Sequence, residues 1–373
     1  MIRKLHVSQF RSYSEFSIEN LGRVNLLVGS NNSGKTSLLE AIELLLAHGD
    51  PRSIWAALNR RGERVWEDEE RRGSPELDIC RLFNGHLMQV GSSFNISADN
   101  DVASQSLKAE IVELDEEDFK QTEFPVLESE SQFSSAGLSL RWKGGHSDEE
   151  FSAMPITDRG GLSLDILRRR PTRKEDQRQP VSFVTTSSLT SDEVVVLLSR
   201  FILNPEEDLL LKALRIIEPD IERIAPVAGS RVSQPYGVSS SRGGVVIKCS
   251  GVDKRLPIGT MGDGIWRLLA LALSLVRAEN GILLVDEIDT GLHYTVMEAM
   301  WRLTFEAATR LNVQVFATTH SSDCWRALAS ISRREIASGS EVTIQHVEKG
   351  HKKAVPFTER EIVIAAERGF EVR

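Results

Sequence analysis

Gly29-Ser-Asn-Asn-Ser-Gly-Lys-Thr36 fits the pattern G-x-x-x-x-G-K-[ST] of a phosphate-binding P-loop. It follows an apolar run, Val24 to Val28, and opens a helical pattern from Ser37 to Leu46. That is the order of strand, loop and helix the pattern requires. Backbone N–H groups of such a loop converge on a phosphate, and the following helix adds the positive end of its dipole. The expected phosphate-binding residues are therefore Gly29, Asn31, Asn32, Ser33, Gly34, Lys35, Thr36 and Ser37. Lys35 is expected to reach the β- and γ-phosphates, and the Thr36 hydroxyl to hold Mg²⁺. The alternative, a Gly/Asn-rich turn between strand and helix, is weighed down by what lies further along.

Gly281-Ile-Leu-Leu-Val-Asp-Glu287 reads as a buried parallel strand ending in two carboxylates. Ligand sites of parallel sheets lie at that end of their strands. Asp286 is expected in the Mg²⁺ shell, and Glu287 is expected to orient and polarise the attacking water. Ala317-Thr-Thr-His-Ser321 ends the next strand, which places His320 at the same edge, facing the γ-phosphate and Glu287. Lys35, Glu287 and His320 are the expected catalytic residues. Thr260-Met-Gly-Asp-Gly264 puts two glycines before a helix, a second phosphate-capable nest or a tight turn capping that helix. Its place far along the chain from Gly34 allows it to close over the nucleotide of a second subunit.

Hydrophobic residues make up 40% of the 373 residues and charged residues 27%, as in a globular protein. No apolar run of membrane-spanning length occurs, and MIRKLHVSQFRSY lacks the apolar core of a signal peptide. Cys80, Cys249 and Cys324 are far apart, so reduced cytosolic thiols are expected and the chain is placed in the cytoplasm. A net charge of −9 argues against a general electrostatic grip on nucleic acid and permits local basic patches. Arg60-Arg61, Arg71-Arg72 and Arg168-Arg169-Arg170 with Arg173-Lys174 are such patches, read as contacts to a phosphate backbone or as solvated loop charge. Trp55, Trp66 and Trp142 read as packing residues.

Strands are expected at 4–7, 15–18, 24–28, 77–80, 94–97, 107–114, 138–142 and 181–185. The stretch 144–180, rich in charge and arginine, reads as a mobile segment, and 230–242 as a polar loop. Two helices (191–203, 206–217) and a hairpin (245–249, 254–258) precede an apolar helix at 264–276. Strand 282–285, helix 294–311, strand 313–317 and helix 323–331 then alternate as in a parallel sheet with crossovers. Closing strands at 341–347 and 353–357 and a helix at 359–368 end the chain.

QFRSY (9–13), GSNNSGKT (29–36), MGDGIWRLLALAL (261–273), ILLVDEIDTGLH (282–293) and ATTHSSD (317–323), in this order, resemble the ABC-type ATPase superfamily and, within it, the OLD-family and RecF-like branch. The resemblance implies an α/β fold: an ABC-ATPase head, with a P-loop parallel sheet, helices and an antiparallel β-subdomain, formed by 1–50 and 181–373. An inserted mixed, β-rich lobe would occupy 51–180. It implies ATP and Mg²⁺ as cofactors, Arg11 as a nucleotide contact, and Gly262, Asp263 and Gly264 as the signature motif acting on a partner's ATP. Asp289 takes the place of the D-loop aspartate and His320 that of the switch histidine. The usual signature serine is replaced by Gly262, the D-loop runs Leu292-His293-Tyr294 without the frequent proline, and the Q-loop glutamine is not placed among Gln89, Gln105 and Gln132. Complete OLD proteins continue into a Toprim nuclease, and too little chain follows His320 for such a domain. The expectation is an ATP-dependent homodimer that controls a separately encoded effector, a Toprim nuclease, in DNA processing or defence. The alternative is a RecF-like DNA-binding clamp without an effector, and an ATP sensor is disfavoured by the intact Glu287.

Overall fold

The computed structural model describes residues 1–65, 76–86, 88–114, 133–145, 147–163, 178–187, 189–227, 244–335 and 342–369. The patches at Arg71-Arg72 and Arg168 to Lys174, and Trp66, Gln132 and the loop 230–242 lie outside them.

The chain opens with β1 (Ile2–Phe10), β2 (Tyr13–Ile18) and β3 (Val24–Val28), then α1 (Lys35–Leu46) and α2 (Pro51–Arg60). Short strands β4 (Arg64–Val65) and β5 (Glu76–Asp78) precede β6 (Ser93–Asn100), β7 (Ser104–Glu113), β8 (Phe133–Gly144), β9 (Ser147–Thr157) and β10 (Gly161–Ser163). Next come β11 (Val181–Val184), α3 (Ser191–Phe201), α4 (Glu207–Arg215), β12 (Ile221–Pro226), β13 (Val245–Cys249) and β14 (Leu256–Pro257). The last third holds α5 (Asp263–Arg277), β15 (Ile282–Val285), α6 (Met297–Arg310), β16 (Gln314–Thr318), α7 (Ser322–Glu335), β17 (Val342–His346), β18 (Val355–Thr358) and α8 (Glu359–Arg368).

Contacts divide the chain into two units. One comprises Met1–Asn20, Thr36–Arg178 and Lys349–Ala354. Its main sheet is antiparallel, in the order β2-β1-β6-β7-β8-β9. Strand alternation drives Leu5, Val7, Phe94, Ile96, Leu107, Ala109, Leu138 and Leu140 to a buried face. The contact units are not the expected segments 1–50 plus 181–373 and 51–180: residues 1–20 group with the antiparallel sheet because β1 pairs along its length with β6. Within the stretch read as mobile, 147–157 instead forms β9. Its acidic residues lie opposite basic ones on β8, Asp148 against Lys143 and Glu150 against Arg141, while Phe151, Met154 and Ile156 are buried.

The other unit comprises Leu21–Lys35, Gln179–Glu348 and Val355–Arg373. Its sheet runs β11-β15-β16-β3-β17-β18, parallel except for the β17–β18 pair. β3, β15 and β16 are buried at every position, which is why they read as continuous apolar runs. Three polar residues interrupt these runs, Gln314 and Thr318 on β16 and Asn25 on β3; Asn25 is fully buried yet satisfied: Oδ1 accepts from Gly22 N–H and the Thr343 hydroxyl, and Nδ2 donates to the carbonyls of Gly22 and Val315. A smaller antiparallel sheet, β12-β13-β14, completes the unit, in which α3 starts on a Thr190–Glu193 capping box. The α/β architecture expected from the sequence is thus the one adopted: a P-loop parallel sheet with helices, plus antiparallel sheets. Among the described residues no helix is long and apolar enough to cross a membrane.

Candidate functional site

β3 delivers the P-loop to the edge where parallel strands end. Gly29, Asn32 and Gly34 take φ of 145°, 59° and 98°, the left-handed excursions that fold N–H groups inward. A Cβ on Gly29 would stand 2.2 Å from the Val347 carbonyl oxygen, so no other residue fits. Gly29→Ala is expected to lower stability by about 2 kcal/mol or more. An unchanged urea midpoint would refute that close approach.

Lys35 curls over the loop: Nζ donates to the carbonyls of Gly29 (2.9 Å) and Ser30 (2.8 Å). Burial lowers its pKa, and the nearby Asp286 and Glu287 carboxylates oppose that shift. Lysine, loop and both acids are thereby in one electrostatic neighbourhood. Asn31 is exposed and Ser33 buried, while Thr36 and Ser37 form the first turn of α1.

At the end of β15 the Asp286 N–H bonds the Val184 carbonyl, and Asp286 Oδ1 accepts from the Thr318 hydroxyl at 2.7 Å. The same Thr318 oxygen accepts the Glu287 N–H at 2.8 Å. Thr318, 1% exposed, thus spaces the two acids from the neighbouring strand. Glu287 sits at φ 49°, a strained conformation for a non-glycine, which turns its side chain out of the strand. Its Oε1 lies 2.9 Å from His320 Nε2, and its Oε2 accepts from the Thr290 hydroxyl at 3.0 Å. Asp289 Oδ1 accepts from the Thr319 hydroxyl at 2.6 Å, tying the 289–293 loop to the strand that carries His320.

Behind the acids runs Arg267 of α5, 3% exposed. It donates to the carbonyls of Asp286 (2.9 Å), Glu287 (2.7 Å) and Thr185. Burial lowers its pKa to about 10 despite the opposing charges of Asp289, Asp286 and Glu287. α5 begins at the glycine pair: Gly262 has φ 87°, and a Cβ on Gly264 would lie 2.9 Å from Ile217 Cδ1 and 3.3 Å from the Gly291 carbonyl. Asp263 and Gly264 therefore pack beside the Asp289 loop while the Cβ direction of Gly262 faces open space, and Arg267, one turn on, grips the backbone of the acids.

The structure brings together Lys35, Asp286, Glu287, Asp289 and His320. Thr290, Thr318, Thr319 and Arg267 escaped the sequence reading. Arg267 had a signal, a lone cation in the apolar helix IWRLLALALSLV that burial obliges to find partners. The threonines had none beyond their neighbours. Arg11 lies in the antiparallel unit and is engaged by acids: Nη1 donates to both oxygens of Glu63, and Nε is 2.6 Å from Glu40 Oε2. Gln89 precedes β6 and Gln105 lies on β7, both in that unit. Arg60 and Arg61 are no open phosphate patch, since they pair with Glu43 and Glu40. Trp142 is buried and stacked on His48, and Trp55 is partly exposed. Cys80, Cys249 and Cys324 are free thiols. Among the described residues no group of three or more His, Cys, Asp or Glu could hold a metal ion. The oxygens of Thr36 and Asp286 are of the hard type that Mg²⁺ takes, and that ion needs few protein ligands.

The chain is 20% identical over 368 residues to an ATP/GTP phosphatase of Helicobacter pylori, a match spanning 90% of this chain and 89% of the relative. A segment of 44 residues is 50% identical to the DNA replication and repair protein RecF of Idiomarina loihiensis, 12% of each chain. Among solved structures it is similar to the SMC head domain from Thermotoga maritima, with 14% identity and a TM-score of 0.41 over 95% of this chain and 98% of that one. It is also similar to an Smc head domain with an extended coiled coil bound to the C-terminal domain of ScpA, derived from Pyrococcus furiosus, with 12% identity and a TM-score of 0.44 over 98% of each chain. With the P-loop, the paired acids and His320 all inside residues 24–323, the stretch its family pattern matches, the chain belongs to the ATPase family described as "AAA domain, putative AbiEii toxin, Type IV TA system".

Proposed function

We propose that this ATPase is a nucleotide-driven switch of the OLD type: it binds ATP with Mg²⁺, dimerises on it, hydrolyses it, and thereby controls a separately encoded effector. The observation that carries the reading is the Glu287–His320 pair, 2.9 Å apart, just past the ends of two adjacent strands and close enough for Glu287 to act on Lys35. A carboxylate held from both sides by His320 and Thr290 is oriented to take a proton from water attacking the γ-phosphate. His320 answers the charge that develops there. Lys35 exchanges the carbonyls of Gly29 and Ser30 for phosphate oxygens. Thr36 and Asp286 are the residues that would hold Mg²⁺, which supplies charge neutralisation at the β- and γ-phosphates. The nest at 262–264, with Asp263 and Gly264 against the Asp289 loop, suits capping the nucleotide of a second copy, and the Thr319–Asp289 bond relays that contact toward His320.

The effector we favour is a Toprim-type nuclease encoded beside this chain. Copurification from the native operon, followed by plasmid cleavage with and without ATP, tests it. The chain alone is expected to hydrolyse ATP and leave plasmid intact, with cleavage appearing only with the partner. Metal-dependent cleavage by the chain alone would overturn the split arrangement. A second reading, a RecF-like DNA clamp, draws on the 44-residue RecF match. Its signature would be ATP-modulated DNA binding without any copurifying nuclease.

A further inference from the structure

α2 leans two arginines on α1. Arg60 pairs with Glu43, and Arg61, the cap residue after Arg60, makes a forked contact with Glu40: Nε to Oε1 at 2.8 Å and Nη2 to Oε2 at 3.0 Å. Glu40 is 1% exposed and also receives Arg11, so it is a fixed anchor rather than a surface partner. From that anchor Arg61 Nη2 reaches one turn back along α1 and donates to Ser37 Oγ at 3.2 Å.

That last bond is chemically directional. A serine hydroxyl has one proton and two lone pairs. Inside a helix it can spend the proton on the carbonyl four residues back. Here the guanidinium occupies an acceptor position, and the hydroxyl of Ser37, a residue 4% exposed, donates to none of the described residues. Ser37 stands in the first turn after the P-loop, where backbone and side-chain donors face phosphate.

We propose that Arg61, aimed by Glu40, is a positioning residue of the nucleotide site: it locks the Ser37 hydroxyl as a donor to a nucleotide phosphate. The inference rests on the nucleotide-binding reading above. Arg61 is one-third exposed, so its replacement is compatible with folding, whereas loss of Glu40 would strand two cations.

The test is equilibrium titration of the full chain with a fluorescent ADP analogue, for the native protein, Arg61→Gln, Ser37→Ala and the double variant, with thermal melts confirming the fold. Each single variant is expected to bind about tenfold more weakly, and the double variant no worse than about tenfold, because both remove one contact. Arg61→Lys, which keeps the charge but cannot span Glu40 and Ser37 with one fork, is expected to weaken binding as well, and carries the test if Arg61→Gln fails to fold. Native affinity in the Arg61 variant, or additive losses near a hundredfold in the double, would overturn the proposal. A native chain that binds no nucleotide would instead overturn the nucleotide reading itself.

Discussion

Glu287→Gln is expected to bind ATP as tightly as the native chain while turning over about a thousandfold more slowly. The amide keeps the size of the carboxylate and can still meet the Thr290 hydroxyl and His320, so the loop around it is preserved. What it loses is the capacity to accept the proton of the attacking water. Because the substrate is then held but not spent, the ATP-bound form accumulates. If the glycine pair at 262–264 closes over a second copy's nucleotide, that form is a dimer by mass action. Light scattering with Mg·ATP at micromolar protein reads the mass, and phosphate release reads the turnover. A monomer under those conditions would refute the composite site. Turnover near native would remove Glu287 from the chemistry.

Lys35→Ala is expected to weaken nucleotide binding on the order of a hundredfold or more, beyond detection at ordinary concentrations. Lys35 is 5% exposed with its ammonium already directed at the loop carbonyls, and no other residue of the loop carries a positive charge to offer the phosphates. His320→Ala should behave differently. Its ring meets Glu287, not the loop, and acts on charge that grows during transfer, so kcat falls while KM stays close to native. Calorimetric titration for the lysine variant and steady-state kinetics for the histidine variant separate the two. Equal kcat with a raised KM for His320→Ala would refute the switch role.

The parallel half of the molecule was legible because its strands are buried on both faces and its loops carry punctuation. β3 and β15 were placed at their observed bounds, and α5 to within a residue at each end. The site's charged residues were legible too, since a lysine and two acids at strand ends announce themselves. α2 was missed although Asp50-Pro51 is a helix-start signal: Asp50 caps the Arg52 N–H and Pro51 takes the first turn. β9 was missed because charge was read as solvation, when the same charges pair across the sheet with β8. Arg60-Arg61 misled in the same way, since their acidic partners lie some twenty residues earlier, on α1. The hydroxyls that space the site, Thr290, Thr318 and Thr319, have meaning only once β15 and β16 are side by side, and linear order does not reveal that.

The phosphate-binding strand has its two neighbours at the far end of the chain. β3 lies between β16 and β17, Thr343 bonds Asn25 across 318 residues, and the Val347 carbonyl bounds the space beneath Gly29. The P-loop and the two strands that wall it are thus separated by most of this sequence. Loop closure over that long separation precedes the contacts that reward it, and nucleotide has no finished site to bind before β16 and β17 have docked. β3, four apolar residues and one asparagine, keeps both edges unpaired until then, so a pairing-competent strand left open through a slow closure is written into the strand order itself.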